Sequence, residues 1–175
     1  MVKTSPIDAI YAGTVQPGNY LVLVTGDTAS VEIALTTGAG SAGEHLTDSV
    51  FLPDIHPDVT DAIVGGAKTA SLSDEALGIV ETSTVAAVID AADAGVKAAR
   101  VTVSAVRLAD GLGGKGYVLF SGVIAEVEAA VETAVARTEP HGSLVRSDLI
   151  AQLHVEMADN LGGELRFMRR IESRG

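Results

Sequence analysis

Two stretches of the chain, "YLVLVTGDTASVEIAL" (20–35) and "GYVLFSGVIAEVEAAV" (116–131), are versions of one another. Gly26 pairs with Gly122, Val31 with Val127 and Glu32 with Glu128, each 96 positions apart (122 − 26). The match extends outward: Gly18 pairs with Gly114, "MVKTSPI" with "GVKAARV" so that Lys3 meets Lys97, and His56 with His154. An internal tandem repeat constrains a chain more than any single motif, because one supersecondary unit must serve in both places.

The second copy is the easier to read. "ALGIVET" (76–82) is a short apolar strand, and Ser83 or Thr84 can cap the helix that follows, "STVAAVIDAADAGVKAA". Val85, Val88, Ile89, Ala92 and Val96 share one helical face. "VTVSAVRLA" (101–109) alternates and is β-branched, as a strand is; "YVLFSG" (117–122) is another. "VIAEVEAAVETAVART" is a second helix with Ile124, Val127, Val131 and Val135 inward, and "SLVRSDLI" (143–150) closes the unit. The order β-α-β-β-α-β is the split βαβ arrangement, an α/β (α+β) fold with an antiparallel sheet and both helices on one face.

The first copy repeats part of this order. "IDAIYAGTV" (7–15) and "NYLVLVTG" (19–26) are strands around a "QPG" turn, and Asp27 caps the helix "TASVEIALTTGAGSAGE". "LTDSVFLP" (46–53) is expected as its closing strand. Nothing corresponds to the opening strand and helix, since Met1 aligns with Gly95. The expected organisation is tandem ferredoxin-like domains: an incomplete first domain (1–57), a linker (58–74), a complete second domain (75–157) and a C-terminal tail (158–175).

Composition removes several function classes. There is no cysteine, which excludes disulfides, thiolate nucleophiles and cysteine-held iron–sulfur clusters. Net charge is −11, there is no Trp, and aromatic residues make up only 3% of the chain. Such a chain repels a phosphate backbone and lacks stacking platforms, so no nucleic-acid partner is expected. No apolar run is long enough to span a bilayer, and the expectation is a soluble intracellular protein without a membrane partner. The basic cluster Arg166, Arg169, Arg170 and Arg174 is read as a solvated tail.

The strongest superficial motif is "DGLGGKGYVLF" (110–120). A phosphate-binding loop requires Ser or Thr after its lysine and a helix to follow. Here Gly116 follows Lys115, and the next segment is a strand. The loop is therefore a glycine-rich hairpin connection whose first-copy counterpart is "VQPGN". His45, His56, His141 and His154 show no metal-ligand spacing, no Gly-x-Ser-x-Gly elbow is present, and Glu81 is a lone carboxylate at a strand end. No catalytic residue, cofactor site or metal site is expected.

"GIVET" joined to "AADAGVKAA", followed by a glycine loop and "YVLFSG", resembles the bacterial microcompartment shell domain. "PGNYLVLVTGDTASVEIAL" and "LPDIHPDV" resemble the later half of the same domain, so the likeness covers residues 1–57 and 75 to about 157. Two such domains in one chain resemble the tandem, trimer-forming class. That resemblance implies a structural, non-enzymatic role: homotrimers that mimic hexamers and tile into the shell of a microcompartment in the bacterial cytoplasm. The implied partners are further copies of the chain, hexameric and pentameric shell proteins, encapsulated enzymes, and small metabolites crossing a central pore. It places Gln16, Pro17, Gly18 and Asn19 and, in the second copy, Leu112, Gly113, Gly114 and Lys115 at that pore. It places Lys3, Lys97 and His56 at the edge between oligomers. Some members hold an iron–sulfur cluster on a cysteine at the position of Gln16; glutamine does not bind one, so no cluster is expected. The alternatives are a ferredoxin-like ligand-binding regulatory domain, with its ligand near "DGLGGKG", and an enzyme on the same scaffold.

Overall fold

The computed structural model describes Met1 and residues 3–64, 75–109 and 111–162. The second copy forms β3 (Ala76–Thr82), α3 (Val85–Ala98), β4 (Thr102–Leu108), β5 (Gly116–Gly122), α4 (Ile124–Thr138) and β6 (Leu144–Ile150). Its strands lie in the order β4-β5-β3-β6, and every neighbouring pair is antiparallel. This is the topology expected from the element order.

Helices α3 and α4 cover one face of the sheet. Val80, Val118 and Phe120 point into it and meet Val88, Ala92 and Val127, all buried. All five residues assigned to the inward face of α3 are buried. On α4 the buried stripe is Val127, Ala130, Ala134 and Thr138, whereas Ile124 is exposed and Val131 and Val135 are half-buried. The stripe is rotated toward alanine because α4 sits close to the strand beneath it. A β-carbon on Gly78 would stand 2.5 Å from Val131 Cγ2 and 2.7 Å from Val127 Cγ1. Thr84 caps α3 by accepting the Ala87 N–H at 3.2 Å.

The opposite face, left bare in the sequence reading, carries α5 (Val155–Gly162). Leu153 and Ala158 pack there on Leu77, Ala105 and Leu119. Residues 163–175, with the arginine cluster, lie outside the described residues.

The first copy supplies β1 (Ala9–Val15), β2 (Asn19–Thr25) and α1 (Thr28–Ala42). The two strands form an antiparallel hairpin. Asp27 caps α1 as expected, accepting the Ser30 N–H at 3.1 Å. Helix α1 matches α4 at both ends at the repeat offset (124 − 28 and 138 − 42). Each runs into a short 3₁₀ turn ending in His45 or His141, a further correspondence at the same offset (141 − 45).

The expected closing strand at 46–53 is not a strand. Its second-copy counterpart, β6, exists by pairing with β3. Among the described residues no strand of the first copy's sheet, which holds only β1 and β2, pairs with residues 46–53, and an unpaired strand leaves its backbone groups unmatched. The segment lies along α3 instead, tied by hydrogen bonds from Thr84 Oγ1 to Asp48 and from Lys97 Nζ to the Asp54 carbonyl. Leu52 and Ile55 pack against the second copy's core.

The expected linker begins as helix α2 (Pro57–Val64), with Val59 and Ala62 fully buried in that same core; 65–74 lie outside the described residues. The spacing of Val59, Ala62 and Ile63 is the helical signal that marks it. Among the described residues, no helix is long and apolar enough to cross a membrane.

Candidate functional site: the paired hairpin loops

Backbone chemistry builds the second-copy loop. The Ala109 N–H bonds the Lys115 carbonyl at 2.9 Å, and the Leu112 N–H bonds the Ala109 carbonyl at 2.9 Å. Gly111, Gly113 and Gly114 adopt φ of 74°, 64° and 88°, a region that side chains with a Cβ rarely enter. The strand after the loop is antiparallel to the one before it, so no helix N-terminus faces the glycines. A hairpin connection, not a phosphate cradle, joins β4 to β5.

The first-copy loop is tighter. The Gly18 N–H bonds the Val15 carbonyl at 3.0 Å, and Gln16, Pro17, Gly18 and Asn19 are all exposed. The fold brings the two loops together. A β-carbon on Gly114 would stand 3.1 Å from Pro17 Cδ and 3.3 Å from the Gln16 carbonyl oxygen. The absent side chain at Gly114 thus lets one loop back onto the other. Positions far apart in sequence, and related by the repeat, end side by side at one end of the molecule.

Lys115 does not project freely. Its ammonium pairs with Glu81 at 2.5 Å, and both side chains are partly exposed. Glu81, at the end of β3, therefore serves as the counter-ion of the loop lysine, a role the sequence reading did not assign. Opposite charges, one inside the glycine turn and one at a neighbouring strand end, are a signal that only the strand order makes readable.

The residues expected at an outer edge separate. Lys3 is exposed. Lys97 and His56 meet within the chain: Asp93, buried on α3, accepts the His56 backbone N–H at 2.7 Å and pairs with Lys97 at 2.7 Å. The His56 imidazole Nδ1 accepts the Asp58 N–H at 3.2 Å, and His154 Nδ1 accepts the Glu156 N–H at 3.3 Å. Both histidines thus stand at the entry of a short helix. Among the described residues, no group of three His, Cys, Asp or Glu side chains could hold a metal ion.

The BMC domain model matches residues 1–55 and 76–153, so both copies are covered and the break falls between them. The chain belongs to the BMC-domain family of microcompartment shell proteins. This BMC-domain chain is 39% identical over 157 residues to the bacterial microcompartment shell protein PduT of Citrobacter freundii, covering 90% of this chain and 84% of that one. It is 35% identical over 85 residues to the shell protein EutM of Salmonella typhimurium, covering 49% of this chain and 86% of EutM. The shorter relative therefore matches about one copy of the repeat. A solved structure of a microcompartment protein from Desulfitobacterium hafniense DCB superposes with a TM-score of 0.78 at 35% identity, covering 89% of this chain and 86% of that one. The two matched segments of this chain coincide with the two copies read from the repeat.

Proposed function

We propose that the chain forms homotrimers in which six repeat units mimic a hexamer, and that these tile, with hexameric and pentameric shell proteins, into a microcompartment facet in the bacterial cytoplasm. The contact of the two hairpin loops carries this reading. Cyclic assembly turns such a side-by-side pair into a ring of loops about one axis. Residues 16–19 and 112–115 line the central opening, through which small metabolites pass. The ring presents backbone amides, short polar groups and the Lys115–Glu81 pairs. The role is structural and not enzymatic, with enclosed enzymes as further partners.

Lys3 and Lys97 lie at the outer edge in this reading. The bonds from Lys97 to Asp93 and Asp54 hold its ammonium in one orientation there. They also give it a second task, fastening the first copy to the second. His56 belongs to the same fastening.

Light scattering and electron microscopy test the assembly. The expected results are a trimer at low concentration and sheets or tubes at high concentration. Isolated particles under every condition would contradict the tiling role. Ligand-dependent melting of a discrete particle, without sheets, would favour the regulatory alternative.

A further inference from the structure

The two faces of the β1–β2 hairpin meet different surroundings. Residues directly opposite in neighbouring strands project on the same face. Val15, Leu21 and Leu23 share one face and pack against the buried cluster that includes Val59 and Ala62 of α2. Ile10, Tyr20, Val22 and Val24 share the other. On that face Ile10 is 42% exposed, Val22 38% and Tyr20 66%. Exposed apolar residues grouped in this way mark an interaction surface.

The second copy shows what such a face is built to meet. At the repeat offset Val22 matches Val118 and Val24 matches Phe120 (118 − 22 and 120 − 24). Ile10 stands opposite Val24 as Val103 stands opposite Phe120. Val103, Val118 and Phe120 are all 0% exposed, in one cluster with Val88, Ala92 and Val96 of α3. The strand edge repeats the contrast. β5 pairs with β3 on the side away from β4, whereas among the described residues β2 pairs with β1 alone. An edge of this kind presents N–H and C=O groups that another strand can take up. Helix α1 matches α4, whose Val127 and Val131 bracket β3 at Gly78. Their counterparts on α1, Val31 and Leu35, are only half-buried.

We propose that this face and edge of the first copy bind a strand–helix segment of the β3–α3 kind, supplied by a separate polypeptide. The repeat specifies its chemistry: a seven-residue apolar strand with glycine opposite Val24, followed by an alanine-rich helix. The strand adds antiparallel to β2, and its backbone groups satisfy those of the edge. The helix lies over Ile10, Val22 and Val24 and takes them out of water, which drives the association. The chain's own β3 is already paired on both sides. Residues 65–74 and 163–175 number 10 and 13, against the 23 from Ala76 to Ala98 (98 − 76 + 1), so neither stretch is long enough to supply both strand and helix. The binding does not rest on the trimer or the pore.

The probe is a synthetic peptide of residues 75–94, labelled with a fluorophore and titrated into the full chain. It stops at Ala94 because Met1, aligned with Gly95, already lies against Gly38 of α1. A saturable rise in fluorescence anisotropy is expected, with slowed hydrogen exchange at residues 20–26 and unchanged exchange in β6. Val80→Asp and Val88→Asp together in the peptide, at two positions fully buried in the second copy, should abolish binding. Val22→Asp in the chain should weaken binding about tenfold or more, because the complex then buries a carboxylate without a partner. Absence of saturable binding, or binding undiminished by the peptide substitutions, would overturn the proposal. So would faster exchange in residues 76–82, which would mean that the peptide displaces β3 from the second copy. Protection of residues 20–26 in a dimer of the chain that the peptide does not disperse would assign the face to a second copy, and would equally overturn it. The unaltered chain with the altered peptide decides the question even where Val22→Asp does not fold. Because these measurements are made on dispersed protein, failure to form trimers or sheets leaves their outcome unaffected.

Discussion

Gly78 marks how closely the second copy is packed. Its missing side chain is the space into which α4 settles, between Val127 and Val131. Gly78→Ala forces valine side chains or helix backbone outward, and overpacking of this kind costs about 1–3 kcal/mol. Urea unfolding should show that loss, while the same change at Gly111, which has nothing within 4 Å of its Cβ position, should act through backbone strain alone. Asp27 illustrates an electrostatic role at the same scale. Its pKa lies below the ordinary 3.8 because it accepts hydrogen bonds from Ser30. A depressed folded-state value means that the ionised form stabilises the fold above the unfolded pKa. That contribution disappears as pH falls through the folded value. Asp27→Asn should therefore reduce the pH dependence of melting below about pH 4, within the carboxylate range. Thermal melts across that range would measure it.

At the scale of elements, the decisive event is the fate of residues 46–56. A segment with strand-like composition runs along a helix, with no strand paired to it among the described residues. The ties are few: Thr84 to Asp48, Lys97 to Asp54 and Asp93 to the His56 N–H. Lys97→Met removes the counter-ion of Asp93, whose side chain is only 7% exposed, while Lys97 is 40% exposed. Partial exposure reduces the loss below that of a fully buried pair, to about 1–2 kcal/mol. Hydrogen exchange should accelerate in residues 54–59 while β3 and β5 stay protected. Unchanged exchange there would assign Lys97 to the outer edge alone. Sequence reasoning recovered the four strands and the two long helices of the second copy, because each of its strands has its partner within the same unit, but it missed α5 on the other face of the sheet. It misjudged 46–53 for the complementary reason, and it passed over α2 because eight residues of helical spacing are easily absorbed into a linker.

At the scale of the whole molecule, the proposed assembly makes the loops the place where solutes are selected. In a closed ring, Lys115 contributes a charge already balanced by Glu81. Lys115→Glu sets two carboxylates against one another and should open the loop and reverse the local charge, slowing anionic metabolites through assembled shells. Glu81→Gln should do the opposite by releasing the lysine. Neither residue touches the Asp93 fastening, so both variants should still assemble. Permeation of charged solutes into intact shells is the measurement; equal effects of the two substitutions would rule out a charge-based role for the pair.

What the sequence determined by itself was the repeat, and with it the tandem architecture. Apolar periodicity and glycine placement are local properties that survive translation along the chain. "DGLGGKG" was legible as a turn for the same reason: the strand that follows it forbids a phosphate cradle. The meeting of Gly114 with Gln16 and Pro17 and the Lys115–Glu81 pair were decided only by tertiary structure. Each depends on the strand order β4-β5-β3-β6 and on how one copy lies against the other. Those are long-range contacts, set by which surfaces the whole chain can bury together rather than by the character of any one segment.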